Sequence, residues 1–279
     1  MKSLSAKCFA KLNLTLRILG HEKSGFHKLC SIFYKIGPID YLTITTGVVD
    51  NVKVKFERKK SVIEGRNILL KTLDKVRDSG AVFPFLNIEL SKSVPPGTGV
   101  GAGSGDAGAL IELLESKGVY ARQIAAEVGS DVPFFCSPSK IALVRGRGEI
   151  LKQIDGSLPL RSVVAIPEWR CITADMFRLV DKFFASRWPM DEAEAEKESK
   201  YVLDVLRSGK TFGLLPNDFC SVLLNMHAEY EELFECFRRQ GAIAWGISGS
   251  GSAAFALWPK DCFRGFSHNF EWIDDIFIF

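Results

Sequence analysis

Pro95-Pro96-Gly97-Thr98-Gly99-Val100-Gly101-Ala102-Gly103-Ser104-Gly105-Asp106 is the stretch on which the reading of this chain turns. A backbone that wraps an oligophosphate must bring N–H groups close to oxygen, and side chains beyond Cβ obstruct that approach. Glycines at Gly97, Gly99, Gly101 and Gly103 therefore suit a phosphate loop. The run lies between a strand-like segment, Leu86 to Leu90, and a segment from Asp106 to Lys117 in which Leu110, Leu113 and Leu114 recur at helical spacing. A helix starting there aims its first free amides and the positive end of its dipole at the same anion. Ser104, at the junction, can donate its hydroxyl to a phosphate or ligate Mg²⁺. A flexible glycine linker is the competing reading, but linkers do not ordinarily join an apolar strand to an amphipathic helix. Two shorter patterns are decoys. The G-x-G-x-x-G match at Gly103 to Gly108 does not directly follow a strand, and Gly209-Lys210-Thr211 has Asp204 where a P-loop begins with glycine, so it reads as a turn.

Outward from the loop, Cys8 to Leu19, Ile32 to Ile36, Tyr41 to Thr45 and Val52 to Phe56 read as strands, which makes the first part β-rich. Asn67 to Val76 predicts a helix with Leu69, Leu73 and Val76 on one face and Gly80 just past its end. Ala121 to Val128 predicts another, broken by Gly129-Ser130-Asp131-Val132-Pro133; Lys140 to Val144 and Glu149 to Ile154 then read as paired strands. The domain change is placed there, giving expected domains over residues 1–150 and 151–279. Downstream, Val163 to Ile166 reads as a strand, and Ala174 to Phe184, Glu194 to Leu206 and Phe219 to Arg239 as helices. Ile243 to Ile247 and Ala253 to Leu257 read as strands around Ser248-Gly249-Ser250-Gly251-Ser252.

The 279 residues, 47% hydrophobic and 25% charged, exclude a disordered chain and allow a substantial core. A net charge of +3, with Lys and Arg spread along the chain, leaves no footprint for nucleic acid. Arg58-Lys59-Lys60, the densest basic cluster, is too short to change that and is expected in a solvent-facing loop. Met1-Lys2-Ser3-Leu4-Ser5 lacks an apolar signal core and no stretch approaches the ~20 apolar residues of a membrane span, so a cytoplasmic protein without membrane contact is expected. The seven cysteines are odd in number, scattered and free of C-x-x-C, which predicts buried thiols and argues against a disulfide framework or a zinc site. His27 and Cys30 alone do not make a metal site.

Three separated motifs together resemble the GHMP kinase superfamily: the glycine run its phosphate loop, Gly246-Ile247-Ser248-Gly249-Ser250-Gly251-Ser252 its C-terminal glycine motif, and Ala10-Lys11-Leu12-Asn13-Leu14 its N-terminal strand motif. Order and spacing agree, and the resemblance spans most of the chain. Gly25-Phe26-His27-Lys28-Leu29, Gly129-Ser130-Asp131-Val132-Pro133-Phe134-Phe135, Gly146-Arg147-Gly148-Glu149 and Asn217-Asp218 resemble one branch of it, whose acceptor is a cytidine-diphosphate methylerythritol. The resemblance implies an α+β, two-domain fold with the active site in a cleft between the domains, ATP with Mg²⁺ as donor, and a small-molecule acceptor phosphorylated on its 2-hydroxyl in non-mevalonate isoprenoid biosynthesis. A monomer or weak homodimer is expected. Kinases of the same superfamily acting on homoserine, mevalonate or a sugar, and a non-catalytic nucleotide sensor, are the alternatives. The sequence departs from the pattern at Gly105, where a second serine is usual, at Ala102 for glycine, Gly108 for alanine and Phe26 for tyrosine, and in a shorter segment between Gly108 and Gly129.

Phosphoryl transfer depends on positioning and charge, often with a carboxylate that takes or orients the acceptor proton. The resemblance gives that role to Asp131, although a turn carboxylate is its ordinary fate in Gly-Ser-Asp. Lys11 sits in an apolar strand, where an unpaired ammonium is costly; it either meets a carboxylate, with Asp131 the candidate, or reaches solvent from an edge strand. The resemblance further implies that Phe26 and Phe177 sandwich cytosine and that His27 hydrogen-bonds its polar edge, against the alternative that both phenylalanines are core. It sets Asn13 near the acceptor hydroxyls, Asn67 near adenine, and Lys92 and Pro95 near the nucleotide. Asn13 satisfying a neighbour, Asn67 as an N-cap and Lys92 in solvent remain open.

Overall fold

The computed structural model describes residues 3–23, 25–57, 66–184 and 190–279; Arg58-Lys59-Lys60 lies outside them. In chain order the first elements are β1 (Leu4–His21), β2 (His27–Thr46), β3 (Asn51–Phe56), α1 (Ile68–Asp78), β4 (Leu86–Lys92) and α2 (Ala102–Glu115). A 3-10 turn at Arg122–Ile124, α3 (Ala125–Val128), α4 (Val132–Phe135), β5 (Ile141–Gly146), β6 (Ile150–Ile154) and β7 (Leu160–Pro167) follow. The remainder is α5 (Thr173–Phe184), α6 (Glu192–Arg207), β8 (Gly213–Leu214), α7 (Cys220–Met226), α8 (Glu229–Arg239), β9 (Ala244–Ile247), β10 (Ala254–Pro259) and β11 (Ile273–Ile278).

The chain divides into two compact units. One comprises Met1–Lys11, Lys35–Pro96 and Gly101–Ser139; the other Leu12–Tyr34, Gly97–Val100 and Lys140–Phe279. Residues 140–150 group with the later residues, although the sequence alone runs the first domain to 150, because β5 pairs with Leu29–Tyr34 of β2 and with β6.

In the first unit β4 lies parallel to β3 and antiparallel to Tyr41–Thr46 of β2. Its alternating inward residues Leu86, Ile88 and Leu90 meet Leu69, Leu73 and Val76 of α1 and Leu110, Ile111 and Leu114 of α2 in one apolar cluster. That is the period-2 face of a strand packed on the 3.6-period stripes of two helices.

In the second unit β11, β7, β10 and β9 form an antiparallel series that β8 extends in parallel. Val163 to Ile166 in β7 are fully buried, as are Phe255 to Leu257 in β10. Their core includes Phe219, Tyr230, Leu233, Phe237 and Trp258. Tyr230 keeps its hydroxyl satisfied there, donating to Ser252 O at 2.7 Å and accepting from Trp169 Nε1 at 2.9 Å. That removes most of the cost of burying a phenol.

Four expectations need correction. Ile32 to Ile36 and Tyr41 to Thr45 belong to one strand, β2. Gly37-Pro38 looks like a breaker, but it falls between the β5 ladder, which ends at Tyr34, and the β4 ladder, which begins at Tyr41, so neither of those ladders needs the missing N–H, and β1 pairs with β2 as well. The single helix expected over Phe219 to Arg239 is two, because His227 turns extended (φ −140°, ψ 90°) and stacks on Trp169 at 4.1 Å. α2 starts at Ala102, not Asp106, so the last five residues of the glycine run are helix. Cys236 is half-buried and Cys262 exposed, while the other five cysteines are buried free thiols. β11 escaped the sequence reading because Asp274-Asp275 interrupt its alternation and a bulge lies between Ile273 and Asp275. Among the described residues no helix is long and apolar enough to cross a membrane.

Candidate active site

In the first unit, Lys11 is only 4% exposed, and its Nζ lies 3.7 Å from Asp131 Oδ2. Solvent is therefore not its destination. Burial holds the Lys11 pKa below its ordinary 10.5, with the Asp131 charge opposing the shift. Asp131 precedes α4, whose Val132, Phe134 and Phe135 are buried, so the apolar turn anchors the carboxylate that it displays. Gly101 adjoins the pair: a Cβ there would sit 3.2 Å from Lys11 Cε and 3.4 Å from Asp131 Oδ2, in a backbone conformation of φ +66°. A side chain at Gly101 would thus fill space over the ion pair.

Gly101 also caps α2 without a side-chain bond, which leaves the first amides of the helix, on Ala102, Gly103 and Ser104, without intrahelical acceptors. A Cβ at Gly103 would meet nothing nearer than Ile68 Cγ2 at 4.0 Å. Free amides, a dipole end and open space over Gly103 fit an oligophosphate. Gly105 does not belong to that cradle. Its N–H is spent on Gly101 O at 2.9 Å, and a Cβ there would lie 1.8 Å from Phe9 O. Gly108 has a similar reason, since its Cβ would fall 2.5 Å from Phe135 Cβ. Both departures from the superfamily pattern therefore serve close packing of α2.

Lys92 is not solvated. At 3% exposure its Nζ donates to Asp40 Oδ2 and Asp106 Oδ2, each at 2.7 Å, while Ser93 N donates to Asp40 Oδ1 at 2.6 Å. Burial works against the charge of Lys92, but Asp106 and Asp40 outweigh it and raise its pKa. Burial pushes Asp106 up to about 7, opposed by Lys92. An ammonium committed to two carboxylates joins the end of β4 to the first turns of α2, a brace for the flanks of the glycine loop rather than a phosphate ligand. Asn67 is the N-cap of α1, its side chain accepting from Leu69 N at 2.8 Å. Pro95 is half-buried at the end of the first unit's share of the loop.

In the second unit, Gly97 and Gly99 take φ of +80° and +77°; Gly97 is held by Cys171, and Thr98 and Gly99 are sewn to the C-terminal glycine motif and the residue after it. Ala253 N donates to Thr98 O at 2.9 Å, Cys171 N to Gly97 O at 3.1 Å and Ser248 Oγ to Gly99 O at 3.1 Å. A Cβ at Gly99 would fall 2.1 Å from Ser248 O, so the close approach is of chain to chain. Asn217, from the Asn217-Asp218 match, braces the same motif by donating to Ile247 O and Gly249 O at 2.8 and 2.9 Å. Asn13 is 2% exposed; its Nδ2 donates to Ser31 Oγ at 2.8 Å, and Ser248 Oγ reaches its Oδ1 at 3.5 Å.

His27 stacks on Phe177 (centroids 4.2 Å, 18°), which also meets Phe219 edge-on at 5.0 Å. Asp181 holds His27 Nε2 at 2.7 Å. Phe26 is 57% exposed, with the Arg147 guanidinium over its ring at 4.4 Å. Phe177 and His27 thus come together, while Phe26 is paired elsewhere. Sequence reasoning missed Asp40 and Asp181, whose partners are remote in sequence and leave no local pattern.

A two-sheet α+β scaffold, a glycine loop entering a helix and a buried lysine paired with a half-buried aspartate define the GHMP kinase class. The GHMP kinases C-terminal family matches residues 204–261. A solved 4-(cytidine 5'-diphospho)-2C-methyl-D-erythritol kinase superposes with a TM-score of 0.70 at 26% identity, covering 91% of this chain and 90% of that one. Homoserine kinase from Cytophaga hutchinsonii shares the fold, with a TM-score of 0.59 at 14% identity over 100% of this chain and 94% of that one. The 4-diphosphocytidyl-2-C-methyl-D-erythritol kinase of Leptospira interrogans is 32% identical over 273 residues, 89% of each chain, and that of Chlorobaculum tepidum 29% over 264 residues, 92% of this chain and 90% of its own. The chain belongs to the 4-diphosphocytidyl-2-C-methyl-D-erythritol kinase family. It is an ATP-dependent kinase.

Proposed function

We propose that the protein transfers the γ-phosphoryl group of ATP to the 2-hydroxyl of 4-diphosphocytidyl-2-C-methyl-D-erythritol, a step of non-mevalonate isoprenoid biosynthesis. The observation that carries the chemistry is the Lys11–Asp131 pair beside Gly101. Asp131 takes the hydroxyl proton as the acceptor oxygen bonds to γ-phosphorus and the bond to the β-phosphate oxygen breaks, leaving ADP. Lys11 holds the acceptor oxygen and the carboxylate in line, and its charge offsets what develops on the transferred group. The amides of Ala102, Gly103 and Ser104 bind the phosphates.

Mg²⁺ fits the same place: the Ser104 hydroxyl in the first turn of α2 is a hard oxygen ligand, and the ion supplies charge neutralisation on the oligophosphate. His27 and Phe177 receive the cytosine. The stacked His27–Phe177 pair supports a base-bearing acceptor over homoserine, mevalonate or a sugar, which have no ring to stack. Phe26 reaches the base by releasing Arg147. Asn13, two residues from Lys11 on β1 and bonded to Ser31, orients the acceptor hydroxyls.

Purified protein incubated with Mg-ATP and a panel of acceptors tests this by ADP release and by the new phosphate ester. Phosphorylated cytidine-diphosphate methylerythritol is the expected product. Turnover only with another acceptor overturns the substrate, and nucleotide binding without turnover overturns the kinase.

A further inference from the structure

His21 closes β1, His27 opens β2, and Asp181 lies near the end of α5, so three elements of the second unit converge on one point. His27 Nε2 is 2.7 Å and His21 Nε2 3.3 Å from the same Asp181 Oδ1, and the three ligand atoms all fall within 4.8 Å of one another. The turn between the histidines is internally bonded, Glu22 N to Phe26 O at 2.7 Å and Gly25 N to Glu22 O at 2.9 Å. Phe177 fixes the plane of the His27 ring at 4.2 Å, and the two imidazole centroids are 4.2 Å apart.

We propose that His21, His27 and Asp181 bind a divalent transition metal of the Zn²⁺, Co²⁺ or Ni²⁺ class. Bonds of ~2.0–2.1 Å to imidazole nitrogen and carboxylate oxygen put neighbouring ligand atoms of a tetrahedron about 3.3 Å apart. The His21–Asp181 separation, 3.3 Å, already has that value, and the His27–Asp181 separation, 2.7 Å, must lengthen by about half an ångström. Two imidazoles and one carboxylate favour these ions over Mg²⁺ or Ca²⁺, which take oxygen ligands. The hydrogen bond between His27 Nε2 and Asp181 Oδ1 needs a proton between them, and a dication coordinated by both atoms takes its place. The His21 side chain is 43% exposed and the Asp181 side chain 34%, so the ion enters from solvent and keeps a position for water. A metal held there occupies His27 Nε2 and competes with the acceptor's base, a consequence that rests on the role given to His27 above.

The test is titration of the purified full chain with Co²⁺, without nucleotide or acceptor, followed by its visible spectrum. The Cys236 and Cys262 thiols are the competing ligands. Thiolate ligation adds a charge-transfer band that nitrogen and oxygen ligands lack. One equivalent without that band is expected, with His21→Ala and Asp181→Asn each weakening binding at least about tenfold, since loss of outer-shell partners alone costs ~10–100-fold. No binding, a thiolate spectrum, or an affinity unchanged in both variants overturns the site. Zn²⁺ that raises the acceptor KM of the parent but not of His21→Ala supports the competition; stoichiometric binding with unchanged acceptor KM keeps the metal site and overturns the role of His27.

Discussion

Gly105→Ala and Gly103→Ala make the same chemical change two residues apart on α2, yet the structure predicts opposite outcomes. At Gly105 the new Cβ lies 1.8 Å from Phe9 O and 3.0 Å from Phe9 C, backbone atoms of β1 that no rotamer change can move. Ordinary contact begins near 3.4 Å, so strand and helix must separate by roughly 1.5 Å, and overpacking of this kind costs about 3 kcal/mol. At about 2–4 °C per kcal/mol for a chain approaching this size, the melting temperature falls by roughly 6–12 °C. At Gly103 the Cβ meets only Ile68 Cγ2 at 4.0 Å, and alanine gains up to about 1 kcal/mol of helix propensity. Gly103→Ala should leave stability equal or slightly higher while raising the KM for ATP, because its methyl group stands in the phosphate cradle. Thermal melts followed by circular dichroism, with ATP kinetics on the same preparations, measure both. A Gly105→Ala protein as stable as the parent would refute the packing argument, and a Gly103→Ala protein with unaltered ATP KM the cradle.

Asp106, held up to about 7 against an ordinary 3.8, keeps its proton in the folded state where the unfolded chain releases it. It therefore subtracts stability as pH rises from about 4 to about 7; Asp106→Asn should flatten urea midpoints across that window relative to the parent, and an identical slope would contradict the assignment. Lys92→Met leaves the buried Asp40 and Asp106 uncompensated and should cost about 3–5 kcal/mol, with much of the loss recovered when both are also changed to asparagine. Equal stabilities of the single and triple variants in urea would count against the brace. Lys11, its pKa depressed by burial, binds fewer protons folded than unfolded between its lowered value and 10.5. Across that window stability rises with pH relative to Lys11→Met while kcat/KM falls, and Lys11→Arg moves the alkaline limb upward; a parental limb at or above 10.5 is the contrary result.

Where physics was local, the sequence sufficed. The alternation of β4, the apolar stripe of α1 and the N-cap at Asn67 are each written in consecutive residues, and the structure realises them. The start of α2 was not legible, because a run of glycines has low helix propensity and only packing against Phe9 and Phe135 shows why small residues are required there. Lys11 stood out as a charge in an apolar strand, whereas Asp131, an ordinary turn carboxylate by its local sequence, was singled out by resemblance. The two carboxylates on Lys92 did not, since Asp40 is 52 residues distant and nothing in the surrounding pattern marks it. Phe177 came from resemblance alone, and its partner Asp181 became visible only when α5 met the β1–β2 turn.

The central claim is that Asp131, beside Lys11, takes the acceptor proton. Its most direct measurement is the single-turnover rate of phosphoryl transfer to cytidine-diphosphate methylerythritol by Asp131→Asn, with folding checked by circular dichroism and ATP affinity measured separately. Loss of a positioned base predicts a fall of about 10²–10⁴-fold with ATP affinity nearly unchanged. A rate within a few-fold of the parent would contradict it.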